Sequence, residues 1–334
     1  VTFRGGEPPV SDPFPLVEPV RVRGTGATHA GPRREHDGDA FGFFEDSNAA
    51  LAVVADGVGS AGDEASRRVI ETCSNMFRGR RATILDDLAE TWWRNEHGEP
   101  RRGDARVRPF STLPIAERVE LRERVRLLLD RRVPETMGDV AVLEAETQML
   151  LGIGAQALAR VNGDIHRLVE RERARWHDVG ACAACVTFAA GRVSIAHVGD
   201  CRVSRVRGAS IELLTTDHTL HHDATQLPPE QRPTPEELER VAPNVLQNIL
   251  TRLLGAKDKV QVDELTAPLE AGDLFLVATD GLWQAFSETE LLTALRSRRT
   301  AAAAYLIERA PRHRPGQPGE HPGDNLTAVV VEVV

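Results

Sequence analysis

Residues Leu51–Ser66, LAVVADGVGSAGDEAS, decide the fold. The apolar run Leu51-Ala52-Val53-Val54-Ala55 stops on an acid, Asp56, and continues through Gly57, Val58, Gly59 and Ser60 into a segment able to form a helix. Small and β-branched residues in an unbroken run suit a strand covered on both faces. Such a strand delivers a carboxylate to the lip of a sheet, and glycine lets the backbone turn there. A carboxylate beside a bare backbone carbonyl suits a hard cation, because magnesium and manganese take oxygen ligands. The plainer alternative is a strand, a turn and a capped helix with an exposed acid, and the rest of the chain has to decide between them.

With 334 residues, 41% of them hydrophobic, the chain is long enough to bury a sizeable core. Its net charge of −9 argues against a nucleic-acid partner. No apolar run reaches the length of a membrane span and no charged leader precedes an apolar block, so no membrane and a cytoplasmic location are expected. The cysteines, Cys73, Cys182, Cys185 and Cys201, are too few and too irregular for a disulfide framework. Cys182 and Cys185 form a C-x-x-C without a second Cys or His pair at zinc spacing, so they are read as core residues. His218, His221 and His222 are read as exposed loop residues.

Residues 1–20, rich in Pro and Gly and without periodicity, are read as a tail. Strands are expected from Val20 to Thr28, over Phe41–Phe44, and at Leu51. Helical spacing runs to about Arg78 and resumes over Ile84–Asn95, Pro114–Arg132 and from about Val140 to His177, with a break near Gly152 or Gly163. Beyond Trp176 the period changes to two, giving short strands in ACAACVTFAA, GRVSIAHVGD, CRVSRVRGAS and IELLTTDHTL. Further strands are expected near Val260–Glu264, over Leu274–Ala278 and from Leu326, with helices at Ser287–Arg296 and Ala301–Ala310. Helices enclosed in sequence by strands favour insertion between sheet segments of one domain. The expected fold is α+β: a central, mostly antiparallel β-sandwich flanked by helices in α-β-β-α layers. Residues 21–334 form a single domain in this reading, with a helical insert over about 80–135 and a polar flap over about 221–243.

The Asp56-Gly57 device recurs. Asp280-Gly281 ends the run Leu274–Ala278, Asp324-Asn325 precedes the last strand, and Asp200 follows Val198-Gly199. Any one of them can be a strand terminator. Converging in one cleft, they would repel, and a divalent cation is the simplest way to hold them together. Two ions bridged by a carboxylate acidify a water and clamp an attacked phosphorus. Arg34, on the loop with Asp37 and Asp39, offers a guanidinium able to fork onto phosphate oxygens, or else is a surface arginine.

The motifs RREHDGDAF, ADGVGSAGDEAS, GACAACVTF, IAHVGDCRVSRV, LTTDHTL, NILTRLLG, LFLVATDGLWQAFS and GDNLTAVVV together resemble the metal-dependent protein phosphatases of the 2C type, in the family's order. The resemblance covers about Gly24 to Val331 apart from the insert, and is nearest to a bacterial subgroup. It implies a β-sandwich with two Mn2+ or Mg2+ ions at one edge. Asp56 would bridge both ions and the Gly57 carbonyl would bind the first, while Asp280 and Asp324 hold the second and Asp39 acts through water. Asp200 with Asp280 matches the family's optional third-metal position, and Arg34 matches its phosphate-binding arginine. The implied reaction is hydrolysis of phosphoserine or phosphothreonine in proteins by a water or hydroxide activated at the two-metal centre. A cognate protein kinase or its targets would be partners.

Two departures stand out. Gly38 occupies a position where the family often has Glu or Gln, which implies metal affinity weaker by about 10–100-fold. Val58 stands where some members carry a histidine proposed as general acid. An active phosphoprotein phosphatase is the leading reading, against a phosphatase-like binding or sensor module without chemistry and a small-molecule phosphohydrolase.

Overall fold

The computed structural model describes residues 21–31, 36–98, 108–227, 249–312 and 323–334. Arg34, the tail over 1–20 and all but the first residues of the flap lie outside that set. The chain divides into two compact units, one of Pro19–Arg80 with Met149–Val334 and one that takes in Arg81–Gln148. The helical insert expected over about 80–135 falls within the second.

Among its described residues the first unit has ten strands: β1 (Val22–His29), β2 (Asp39–Glu45), β3 (Ala49–Val58), β4 (Gly180–Ala189), β5 (Arg192–Val198), β6 (Arg202–Arg207), β7 (Ser210–Leu213), β8 (Asp263–Pro268), β9 (Leu274–Ala278) and β10 (Leu326–Val333). They form two five-stranded sheets, β1-β10-β9-β6-β7 and β2-β3-β4-β5-β8. Every pairing is antiparallel.

The unbroken apolar run of β3 has two jobs. Ala50, Ala52 and Val54 meet Phe275, Val277, Val329 and Val331 of the other sheet. The alternate residues Leu51, Val53 and Ala55 face helices. One of these is α1 (Gly62–His97), which contributes Ala65, Val69, Cys73 and Phe77. The other, Ile153–Arg171, presents Ala157, Leu158, Val161 and Ile165 at helical spacing. On the opposite sheet Leu274, Leu276 and Ala278 of β9 pack against Leu291, Leu295 and Leu306 of the helices Glu288–Arg298 and Ala302–Arg309. The layers are therefore α-β-β-α, as expected. Inside the sandwich the Phe188 and Phe275 rings meet edge to face at 5.2 Å.

Two helical features bear on the sequence reading, the first correcting it and the second matching its expected break at Gly152. The two helical blocks on either side of Arg78 are one helix of 36 residues, since nothing between them stops it. The break after the next helices falls at Gly152, between Met137–Leu151 and Ile153–Arg171.

In the second unit, Leu88, Leu121, Val125, Leu129 and Leu143 are buried. Trp92 donates its indole N–H to Asp139 at 2.8 Å and lies under the Arg124 guanidinium, which pairs with the same carboxylate. Arg132 and Glu146, both buried, form an ion pair at 2.7 Å.

Candidate metal centre

Both sheets send an acid to the same end of the sandwich. Asp39 opens β2 and stands opposite Asp56 in the β2–β3 register, with Gly57 following on β3. Asp200 lies in the turn between β5 and β6. Asp280 begins the short helix Asp280–Trp283 directly after β9, and Asp324 stands two residues before β10, the neighbour of β9. A hydroxyl ties the sheets together here: Thr279, which precedes Asp280, donates to Asp39 Oδ2 at 2.8 Å.

Burial and mutual repulsion dominate the electrostatics. The Asp39 carboxyl is pushed up to about 7, chiefly by burial and further by Asp37 and Asp324, against the lowering effect of Thr279 and Thr327. Burial raises Asp56 well above the usual carboxylate range, and Asp39, Asp280, Asp200 and Asp324 each add to it. Asp280 is raised likewise, by burial and then by Asp200, Asp324 and Asp39. Asp200 is raised by burial, opposed by a hydrogen bond from Cys182. Such shifts are what converging carboxylates show in the absence of a countercharge.

The donor set fits hard divalent ions. Asp39 Oδ1 and Asp280 Oδ1 are buried without a hydrogen-bond partner, so each has a lone pair free for a cation. All the converging side chains offer oxygen, which selects magnesium or manganese over zinc. Gly57 has to be glycine, because a Cβ there would lie 1.9 Å from the Gly62 carbonyl oxygen. Of the residues singled out in the sequence, Asp39, Asp56, Gly57, Asp200, Asp280 and Asp324 share this end of the sandwich, and Arg34 is outside the described residues.

Two supporting residues escaped sequence reasoning although they adjoin the acids in the motifs ATDG and GDN. Thr279 anchors Asp39, and Asn325 holds the loop ahead of it. Asn325 accepts the Gly38 N–H at 3.0 Å and donates to the Ala30 and His36 carbonyls at 2.9 and 3.1 Å.

A second cluster has different chemistry. His197, His218 and Asp263 bring possible ligand atoms within 4.8 Å of one another. His218 is buried and stacks on His197 at 4.6 Å, which corrects its reading as an exposed loop residue. Its Nδ1 accepts the Gly199 N–H at 3.0 Å, so in the neutral ring Nε2 carries the proton and faces Asp263 at 3.1 Å. Arg252 also pairs with Asp263. A protonated nitrogen and a resident guanidinium make this a neutral-histidine and ion-pair cluster, unsuited to a cation.

A protein-family profile described as Protein phosphatase 2C matches residues 23–310. The chain belongs to the protein phosphatase 2C family. The match includes Asp39, Asp56, Asp200 and Asp280, and Asp324 lies beyond it. Among curated relatives of this phosphatase 2C chain, the serine/threonine phosphatase stp of Listeria welshimeri is 28% identical over 91% of the chain and 93% of the relative. Its fold is shared by the serine/threonine phosphatase of S. agalactiae, at 22% identity and TM-score 0.60 over 94% of this chain and 100% of that one. The catalytic domain of the serine/threonine phosphatase PstP, solved in complex with 2 manganese ions, superposes with TM-score 0.57 at 23% identity over 94% and 98% of the two chains.

Proposed function

We propose that this phosphatase 2C chain is a metal-dependent serine/threonine protein phosphatase that hydrolyses phosphoserine and phosphothreonine in proteins. The observation that carries the reading is the convergence of carboxylates from both sheets, two of them with a buried oxygen that has no hydrogen-bond partner among the described residues. Asp56 and the Gly57 carbonyl would hold the first divalent ion, and Asp56 would share the second with Asp280 and Asp324. Asp39 would act from outside through water, and Asp200 with Asp280 would serve a third position. The PstP domain with its 2 manganese ions supports manganese as an occupant, and magnesium shares the same preference for oxygen ligands. Bound there, the pair of ions supplies Lewis acidity at phosphorus and an acidified water as nucleophile.

The chain's own residues do the rest. Thr279 fixes Asp39 from across the sandwich, and Asn325 fixes the strand start that brings Asp39 opposite Asp56. Arg34 is proposed to fork onto the phosphate oxygens. A phosphatase-like module without chemistry is not favoured, because decay of such a site removes a core ligand and here Asp56, Asp280 and Asp324 are all present. Phosphorylated targets of a cognate protein kinase are the proposed substrates. The proposed compartment is the cytoplasm; among the described residues no helix is long and apolar enough to cross a membrane.

The test is hydrolysis of p-nitrophenyl phosphate and of a phosphothreonine peptide with added Mn2+. Turnover that is lost with EDTA and with Asp280→Asn is the expected result. Absence of turnover with every divalent metal tried would overturn the assignment, and turnover of the small ester without the peptide would move it to a small-molecule phosphohydrolase.

A further inference from the structure

Arg202 joins the turn that carries Asp200 to the helix that carries Asp280. Its guanidinium carbon lies 3.4 Å from the centre of the Trp283 ring. Its Nε and Nη2 donate to the two carboxylate oxygens of Asp217 at 2.9 and 2.6 Å. Trp283 is the last residue of the helix that begins at Asp280, and its indole N–H donates to the Asp200 carbonyl at 3.2 Å. One planar cation thus sits over the ring that ends the Asp280 helix and is clamped by Asp217, and that ring is bonded to the Asp200 backbone.

The arrangement has a reason. Asp200 and Asp280 are acids brought to the same end of the sandwich, and as carboxylates they repel. Left to themselves the two segments would part. We infer that Arg202 is a positioning residue that sets the spacing of the Asp200 and Asp280 carboxylates and thereby the affinity for the divalent ion they share. The inference rests on the proposed reading of those two acids as metal ligands. It requires arginine: a planar fork can stack on an indole and bind a carboxylate with two parallel hydrogen bonds, whereas the single ammonium of lysine cannot do both.

The experiment is calorimetric Mn2+ titration of the metal-stripped full chain, with thermal unfolding in EDTA as the control for folding. The binding step that Asp200→Asn removes identifies the shared site. Arg202→Lys is expected to weaken that step about 10-fold or more, as loss of an outer partner does. The remaining steps and the unfolding temperature in EDTA should stay as in the parent. Trp283→Phe keeps a ring under the guanidinium and loses the N–H to Asp200, and it should weaken the same step by a smaller factor.

Parent-like Mn2+ binding by both Arg202→Lys and Trp283→Phe, with Asp280→Asn losing binding, overturns the role of Arg202 alone. Equal weakening of every step also overturns it, because it marks a general loosening. Unchanged binding in Asp280→Asn instead overturns the underlying metal reading. If Arg202→Lys fails to fold, Trp283→Phe decides by the same criteria.

Discussion

Gly38→Glu sets two physical expectations against each other. Judged from sequence, a glutamate at 38 returns a contact near the second metal and tightens binding about 10–100-fold. In the structure there is no room for it. A Cβ at position 38 would stand 2.9 Å from Asn325 Oδ1 and 3.2 Å from the Gly57 carbonyl oxygen. Asn325 cannot swing away freely, because its amide makes the bonds to Gly38, Ala30 and His36 described above. Displacing it forfeits up to three hydrogen bonds at about 1 kcal/mol each, a loss of about 2–3 kcal/mol that lowers the unfolding temperature by a few degrees. The same displacement presses on the Gly57 carbonyl, a proposed ligand, so Mn2+ affinity should fall. Gly38→Ala separates the collision from the added carboxylate and should show most of the stability loss. Thermal unfolding in EDTA and Mn2+ titration of both variants give the answer. A Gly38→Glu protein with unchanged unfolding temperature and tighter Mn2+ binding would refute the steric argument and restore the reading from sequence.

Three further outcomes can be checked independently. Burial, aided by His218 and Arg252 and opposed by Asp263 and Asp217, holds the His197 imidazole down at about 4. The unfolded chain takes up that proton near pH 6.5, so stability from this group falls as pH drops from about 6.5 to 4, by up to roughly 3 kcal/mol; urea titrations at pH 7 and pH 4.5 should show a smaller pH difference for His197→Phe. In the helical unit, Glu146→Ala leaves the buried Arg132 guanidinium without its carboxylate and should cost about 3–5 kcal/mol, read as lost hydrogen-exchange protection over 115–148, and a loss below about 1 kcal/mol would show the pair to be dispensable. All four cysteines are buried and the Cys182, Cys185 and Cys201 thiols are pushed well up, so a disulfide reagent should label none of them in the native protein and all of them in guanidinium.

The parts of this molecule legible in sequence are those specified by neighbouring residues. Leu51–Ala55 announces a doubly covered strand because both of its faces are apolar, and Asp56-Gly57 and Asp280-Gly281 are visible because each ends such a run. Ser287 and Glu290 announce their helix through a reciprocal capping box that needs only a four-residue window. What stayed hidden depends on contacts between distant segments. Thr279 and Asn325 look like ordinary polar neighbours of acids until the sandwich sets them against Asp39 and Gly38. His218 lies in a polar stretch of sequence, and the fold buries it against His197 of β5, Gly199 and Asp263. The continuity of α1 through Arg78-Gly79-Arg80 was obscured because that stretch lacks an apolar period, although it contains no proline to end a helix.

The order of strands carries a consequence for how the enzyme comes into being. Among the described strands, β10 is the latest in sequence, yet it lies between β1 and β9 and is the one paired with β1. Until it emerges from the ribosome, β1 lacks its neighbour among the described strands, one edge of β9 is open, and the proposed ligand Asp324 is absent. A nascent chain that stops short of Asp324 therefore carries Asp39, Asp56, Asp200 and Asp280 but not the full proposed ligand set. On the proposed assignment of Asp324 as a ligand, the metal centre would be complete only once β10 has docked between β1 and β9.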